Sequence, residues 1–292
     1  MVESNGAPYS DDLPEFFQIY LPSTWSQRMK IPPAFIKNFD GIVSVFVTLK
    51  TSSQLSWQVT TNKIDKNWFF EKGWPEFVQE NSLKKWDFLT FCYDGNTSFY
   101  VNIFAINGIK KSTRTKNLQE DEASDIPAVK RKKYEEKRGR GRPKRKIAKP
   151  FFPEFFKVFL PQSLASQKIL IPPDFIKHFN RSIQEKIILK DVEGKVWHVG
   201  VERSLYEVFI KGGWHNFVCN HYLEVGDFMV FKYVGSYSFL VKLFGPNGCK
   251  KDAFASKNIA ATHVKIEQGT EEENEPKQTT SIHRQQDHLL RS

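Results

Sequence analysis

The sequence predicts a mainly β protein made of two copies of one small barrel or sandwich, joined by a basic linker. Three observations carry this. Pro14-Glu15-Phe16-Phe17 returns at Pro153-Glu154-Phe155-Phe156. From Ile31 to Lys111 the chain then matches itself at an offset of 140 residues without a gap, with 30 identities in 81 positions. A period that long is too large for a solenoid, so it marks a duplicated domain. Within each copy, short runs rich in β-branched and aromatic residues are separated by turn residues, the pattern of many short strands. Between the copies, residues 108–149 carry 16 Lys/Arg against 6 Asp/Glu, which equals the whole formal net charge of +10.

The chain of 292 residues fits two domains, each long enough to bury its own core. The expected division is a disordered N-terminus over 1–12, a first domain over 13–107, a disordered basic linker over 108–149, a second domain over 150–251, and a disordered polar tail over 252–292.

The elements follow in order. Phe17, Ile19 and Leu21 alternate with Phe16, Gln18 and Tyr20, the two-residue period of a strand. The second copy keeps the alternation from Phe155 to Leu160, and Pro22 and Pro161 end the two strands. In Ile31-Pro32-Pro33-Ala34-Phe35-Ile36-Lys37-Asn38-Phe39 the second Pro suits a first helical turn, where its missing N–H is harmless. Phe35, Ile36 and Phe39 then share one apolar face. The twin is Pro172-Pro173-Asp174-Phe175-Ile176-Lys177-His178-Phe179.

Strand runs are expected at Val43–Lys50 and Leu55–Thr61, with twins at Lys186–Lys190 and Lys195–Val201 joined by the turn Asp191-Val192-Glu193-Gly194. A third run lies near Trp68–Glu71 (Val208–Lys211). Gly73-Trp74-Pro75-Glu76-Phe77-Val78 predicts a second short helix with Trp74, Phe77 and Val78 on one face. Runs at Phe88–Tyr93 and Ser98–Ala105 close the first copy. Trp57, Trp74, Trp197 and Trp214 are expected in the cores.

Several chemistries are disfavoured by the residues. Cys92, Cys219 and Cys249 are odd in number and unmatched between the copies, unlike a disulfide framework. There is no apolar run of about 20 residues. His215, Cys219 and His221 lack a fourth ligand, and copy one has Pro75, Gln79 and Asn81 in their places. Gly139 and Gly141 lack the context of a phosphate loop. Asp87 and Asp227 precede strands and read as turn-fixing residues. The expectation is therefore a non-enzymatic protein without cofactor, metal, membrane contact or small-molecule substrate.

The ordered set Phe-Phe-x-x-x-Leu-Pro, Ile-Pro-Pro-x-Phe, Trp-x-Val, Gly-Trp-x-x-Phe, Leu-x-x-x-Asp-Phe and Phe-x-Tyr, present twice, resembles the plant B3 DNA-binding domain. More closely, it resembles the reproductive-meristem branch, in which tandem copies are common. The resemblance implies two seven-stranded open β-barrels (pseudobarrels), each with two short helices. It implies docking in the DNA major groove through two loop arms per barrel. In copy one the first arm covers Ser23, Thr24, Gln27, Arg28 and Lys30, and the second covers Asn62, Lys63, Lys66 and Asn67. In copy two they are Gln162, Ser163, Ser166, Gln167 and Lys168, then Arg203, Ser204 and Tyr206. Such residues can donate to phosphate oxygens, and Arg, Asn and Gln can pair with purine edges. Copy one departs from the pattern at Trp86-Asp87, where copy two has Gly226-Asp227. Copy one is also nearly neutral, with 9 bases and 8 acids, against 13 and 9 in copy two, so copy two is the better reader.

In the linker, Arg138, Arg140, Arg142 and Lys144 surround Gly139, Gly141 and Pro143 and resemble an AT-hook. An extended Arg fits the narrow, negative minor groove of A·T-rich DNA. Read with Lys130-Arg131-Lys132-Lys133, the same residues also form a nuclear-import signal. Forty-two flexible residues span about 35 Å, close to one DNA turn of about 34 Å, which would let two tethered barrels sit on neighbouring turns. The expected function is a nuclear, DNA-binding regulator of transcription with double-stranded DNA, and other transcription regulators, as partners. The alternative is a chromatin-architectural or protein-interaction module in which only the linker touches DNA.

Overall fold

The computed structural model describes residues 11–39, 43–53, 55–111, 153–179 and 183–251. Each repeat forms one seven-stranded sheet curled into an open barrel. The first holds β1 (Glu15–Ile19), β2 (Met29–Ile31), β3 (Phe46–Lys50), β4 (Ser56–Ile64), β5 (Asn67–Phe70), β6 (Phe88–Tyr93) and β7 (Ser98–Phe104), in the order β1-β6-β7-β3-β4-β5-β2. The second repeats that order with β8 (Glu154–Val158), β9 (Ile169–Ile171), β10 (Lys186–Lys190), β11 (Val196–Arg203), β12 (Val208–Ile210), β13 (Phe228–Gly235) and β14 (Ser238–Phe244). Among these strands only β3 with β7, and β10 with β14, run parallel. The long β4 pairs with β3 up to Thr60 and with β5 from Thr61, so one strand carries the sheet round its bend.

The cores repeat almost ring for ring. Phe16 stacks on Phe91 at 4.7 Å and meets Phe35 edge-on at 4.7 Å; Phe155 stacks on Phe231 at 4.7 Å and meets Phe175 at 4.6 Å. Trp57 meets Phe77 at 5.0 Å and Trp197 meets Phe217 at 5.1 Å. All four tryptophans expected in the cores are buried there. The Pro-Pro-x-Phe segments form a 3-10 helix over Pro33–Phe39 in copy one, and α4 (Pro173–Ile176) followed by a 3-10 turn in copy two. The Gly-Trp segments form α2 (Trp74–Glu80) and α5 (Trp214–Asn220), each started by a left-handed glycine.

Two local features differ from the sequence expectation. The first arms are not plain loops: Pro22 and Pro161 end their strands but also begin helical turns, α1 (Pro22–Trp25) and α3 (Pro161–Ser166). Proline's fixed φ and absent N–H suit a first helical turn as well as a strand end. Trp86 adopts the same left-handed backbone (φ 72°) as its glycine counterpart Gly226 (φ 96°). The surrounding bonds hold it there: Trp86 N–H donates to Tyr20 O at 2.9 Å, and Asp87 Oδ2 accepts from Lys84 N at 2.7 Å and from Lys111 Nζ at 2.5 Å. Asp227 makes the same bonds with Glu224 and Lys251. The recurring aspartates thus fix a turn. Asp87→Asn is expected to lower stability by about 2 kcal/mol through the lost charge-assisted bond, read as a shifted denaturant midpoint.

The third difference is larger. The sequence assigned Asp11 to a disordered N-terminus and residues 108–111 to the linker, and it pictured two freely tethered barrels. Those residues instead build a seam that joins the barrels. The turn at Asn107-Gly108 is followed by Ile109 and Lys110, which lie along the outer edge of β8; Asn247-Gly248 and Cys249-Lys250 lie along the outer edge of β1. The bonds are reciprocal. Phe17 N–H donates to Gly248 O at 2.7 Å and Phe156 N–H to Gly108 O at 2.8 Å, while Lys250 N–H donates to Glu15 O at 2.8 Å and Lys110 N–H to Glu154 O at 3.1 Å. Each copy therefore covers the other's exposed edge strand, the edge that would otherwise template aggregation.

Aromatic rings follow the same two-fold relation. Phe17 meets Phe228 at 4.2 Å and Phe156 meets Phe88 at 4.5 Å; Phe17–Phe244 and Phe156–Phe104 are both 5.9 Å. Phe88 and Phe228, equivalent residues, meet each other at 5.5 Å, where the axis must pass. The charges break the symmetry. Lys110 of copy one pairs with Glu154 of copy two at 2.9 Å, but the other seam charges run one way: copy one supplies Asp11 and Glu15, and copy two supplies Lys232, Lys242 and Lys250, with Lys242 2.9 Å from Glu15, Lys232 2.8 Å from Asp11 and Lys250 Nζ donating to Asp11 O. Copy one has Cys92 and Asn102 where copy two has Lys232 and Lys242.

Candidate nucleic-acid interface

The first arm of a barrel joins β1 to β2 and the second joins β4 to β5 (β8 to β9 and β11 to β12 in copy two). In copy one, α1 closes on Leu21 O, which accepts from Thr24 and Trp25 N–H at 3.0 and 2.8 Å. Trp74 Nε1 donates to Trp25 O at 2.7 Å and anchors the arm on the core. Ser23, Thr24 and Gln27 face solvent, and Lys30 lies half-buried on β2 with its carbonyl accepting from Gln18 Nε2 at 2.9 Å. The second arm is a tight hairpin: Ile64 pairs with Asn67 across Asp65-Lys66, and Asp65 takes the left-handed conformation the turn needs (φ 53°). Asn62, Lys63 and Lys66 are exposed and Asn67 half-buried.

The two arms of each barrel are tied at their base, which the sequence reading missed. In copy one Arg28 lies over the Phe69 ring at 5.3 Å and reaches Glu71 at 3.7 Å, while Asn62 Nδ2 donates to the other oxygen of Glu71 at 3.0 Å. In copy two Lys168, equivalent to Arg28, lies over Phe209, equivalent to Phe69, at 4.0 Å. Lys168 pairs with Glu202 at 3.1 Å, and Lys211 joins the same carboxylate. The acid has moved from position 71 to the position of Asn62, and a lysine occupies the position of Glu71. The brace is kept while its residues are exchanged. Arg28, Asn62 and Lys168, expected as DNA contacts, also take part in this brace. Lys211 and then Lys168 hold the Glu202 carboxyl below the usual carboxylate range. The brace is therefore formed above the ordinary glutamate value and is lost only as pH falls below it.

The arm tips of copy two differ from those of copy one. Gln162, Ser166 and Gln167 are exposed on and after α3, with Gln167 left-handed at φ 50° and Ser163 half-buried. Ser204 N–H donates to Glu207 O at 2.8 Å and folds Arg203–Tyr206 into a turn. Its apex carries Leu205 and Tyr206, 90% and 88% exposed. Beside this arm, Gly200 and Gly212 lie so close that a Cβ on Gly200 would stand 3.4 Å from Gly212 N, where copy one has Thr60 and Lys72. A cleft of about 680 Å³ opens there between Lys186, Arg203 and Lys211. The buried indole N–H of Trp214 meets no acceptor, in contrast to that of Trp74. The first arm of copy two therefore lacks the bond that pins its counterpart. Sequence inspection could have found the brace only by asking which acid faces residue 28 across neighbouring strands. The AT-hook-like residues Arg138, Arg140, Arg142 and Lys144 lie outside the described residues.

His215 and Cys219, the residues that prompted a metal reading, contact each other at 3.4 Å, and His221 is held by Phe217 O at 2.9 Å. Among the described residues no group of three or more His, Cys, Asp or Glu is placed to hold a metal ion, and no helix is long and apolar enough to cross a membrane.

Two open barrels of one topology, each with a braced pair of polar and basic arms, define a tandem pseudobarrel protein with two arm-bearing faces. The family model of the B3 DNA binding domain matches residues 16–107 and 155–247, and the chain belongs to that family. B3 domain-containing protein REM21 of Arabidopsis thaliana is 32% identical over 124 residues, covering 42% of this chain and 37% of the relative. A rice (Oryza sativa subsp. japonica) B3 domain-containing protein is 28% identical over 215 residues, 73% of this chain and 18% of the relative. The chain thus spans well under two thirds of these relatives. Among solved structures, an Arabidopsis FUS3–DNA complex is 19% identical with a TM-score of 0.26, covering 31% of this chain and 95% of that one. A hypothetical Arabidopsis thaliana protein is 28% identical with a TM-score of 0.29, covering 33% and 95%.

Proposed function

We propose that this chain is a nuclear, non-enzymatic regulator of transcription that grips the major groove of double-stranded DNA through the arms of its barrels, with the second barrel leading. The observation that carries this reading is the paired arms: fixed to each other at the base by an ion pair on an aromatic ring, yet exposed and rich in donors at the tips. Pre-ordered donors lose little freedom on binding, so more of each contact appears as affinity. Arg203, Ser204 and Gln167 can donate to base edges or phosphates. Lys168 and Lys211 neutralise Glu202 and keep the arm base positive. The basic linker adds Arg140 and Arg142 to an A·T-rich minor groove, with Arg138 and Lys144 on phosphates. Other transcription regulators are its natural protein partners.

With about five phosphates neutralised, the logarithm of the association constant should fall with log salt at a slope near −4.5. Arg203→Ala in the full chain should weaken duplex binding by about tenfold, measured by fluorescence anisotropy. A flat salt dependence together with unchanged affinity for the Arg203 variant would instead favour a protein-interaction module.

A further inference from the structure

We propose that the seam makes the chain read a two-part DNA site whose halves lie inverted at one fixed separation. This rests on the DNA reading above and goes beyond it. A tether alone would leave the barrels free to serve many spacings, since residues 112–152 are long enough to span a DNA turn. The seam removes that freedom. It joins β1 of one barrel and β8 of the other to their partners by four reciprocal backbone bonds, packs Phe17, Phe88, Phe104, Phe156, Phe228 and Phe244 into one cluster, and closes over buried charges from both copies. Interlocking of this kind has one register, because a shift of one residue along an edge strand turns every side chain to the wrong face.

The relation it imposes is two-fold. Each backbone and ring contact from copy one to copy two is returned from copy two to copy one, the property of an isologous interface. The arms, being the same elements in each barrel, are related by the same axis. A two-fold reader meets a duplex in inverted half-sites, and the distance between its reading elements sets the spacing of those halves. The arm residues differ between the copies, so the two halves share geometry and not base sequence. The seam is also specific to this pairing. Asp11 and Glu15 of copy one meet Lys232, Lys242 and Lys250 of copy two, and copy one has Cys92 and Asn102 in place of two of those lysines. Pairing consumes none of the arm tips: Ser23, Thr24, Gln27, Lys63, Lys66 and Arg203 through Tyr206 stay exposed.

The test is selection of bound duplexes from a random pool by the full chain and by Phe17→Glu, which puts a charge into the seam cluster without touching the barrel core. Phe228→Lys serves if the first variant does not fold. The wild-type pool should enrich two unlike motifs, inverted, at one separation. The variant pool should keep the same motifs at scattered separations. Moving the two motifs apart by about half a turn should cost the wild type about 100-fold, as the second barrel loses its tethered advantage, and the variant little. Wild-type enrichment of one motif alone, of direct repeats, or of scattered spacings overturns the fixed-spacing proposal while leaving DNA reading intact. Enrichment of no sequence, with no duplex binding at low salt, overturns the DNA reading itself.

Discussion

Gly73→Ala is expected to unfold the first barrel. A Cβ added to Gly73 would lie 2.1 Å from Gln58 O, a backbone atom of β4 that cannot move without breaking the sheet. The same residue sits at φ 87°, so Ala also incurs the left-handed penalty of about 1–2 kcal/mol. Together these place the loss at about 4 kcal/mol or more, a range that single changes reach only by clash, core disruption or an orphaned buried group. Gly213→Ala should do the same to the second barrel, where the new Cβ lies 2.5 Å from His198 O. Gly95 is the control. Its φ is 83°, yet an added Cβ would meet nothing within 4 Å, so Gly95→Ala should cost about 1–2 kcal/mol from strain alone. Urea unfolding followed by tryptophan fluorescence separates the cases. Equal losses at Gly73 and Gly95 would mean that strain, and not the close approach of β4, dictates glycine there.

Glu15→Ala is expected to loosen the seam by about 3 kcal/mol. Glu15 and Lys242 are 3% and 5% exposed and lie 2.9 Å apart. Removing one partner of a buried ion pair leaves the other charge desolvated, which typically costs about 3–5 kcal/mol. The lower figure applies because Asp11 still reaches Lys242 at 3.1 Å. Replacing both charges, as in Glu15→Leu with Lys242→Met, should restore most of the loss, since an apolar pair of similar volume needs no compensation. Hydrogen exchange at Phe17 and Lys250, whose amides donate across the seam, reads the effect directly. Acid should act in the same direction. Burial raises the Asp11 carboxyl, but Lys242 and Lys232 outweigh it and hold the group below its ordinary value. A depressed folded-state value means the contribution is complete above about pH 4 and is lost as pH falls further. Seam amides whose exchange is insensitive both to Glu15→Ala and to acid would show that the aromatic cluster alone holds the barrels together.

The barrel itself was legible because its signals are local and repeated. Period-two alternation in Phe16–Tyr20, the Pro-Pro-x-Phe start and the Gly-Trp start each report a strand or helix from a few adjacent residues, and finding them twice removed ambiguity. The turn at Trp86-Asp87 was not legible, because the bonds that surround its left-handed Trp, from the Trp86 amide to Tyr20 and from Lys111 to Asp87, come from residues distant in sequence. The brace was hidden for a related reason. Arg28, Phe69 and Glu71 meet only after β2 pairs with β5, and copy two reaches the same end with its acid at residue 202. Comparing the copies position by position shows only divergence there, since compensation across strands is invisible along the chain.

The sequence by itself determined the duplication, the β architecture, the buried tryptophans and the place of the excess charge, all properties of residue order and composition. Tertiary structure alone decided that the two barrels are one body. Phe17, Phe88 and Phe104 look like ordinary strand residues, and Asn107-Gly108 like the beginning of a linker. Their role appears only when two curved sheets present the same outer face to each other. Apolar faces and open edge strands are driven to find cover, and what covers them is set by three-dimensional shape and charge, which no local stretch of sequence contains.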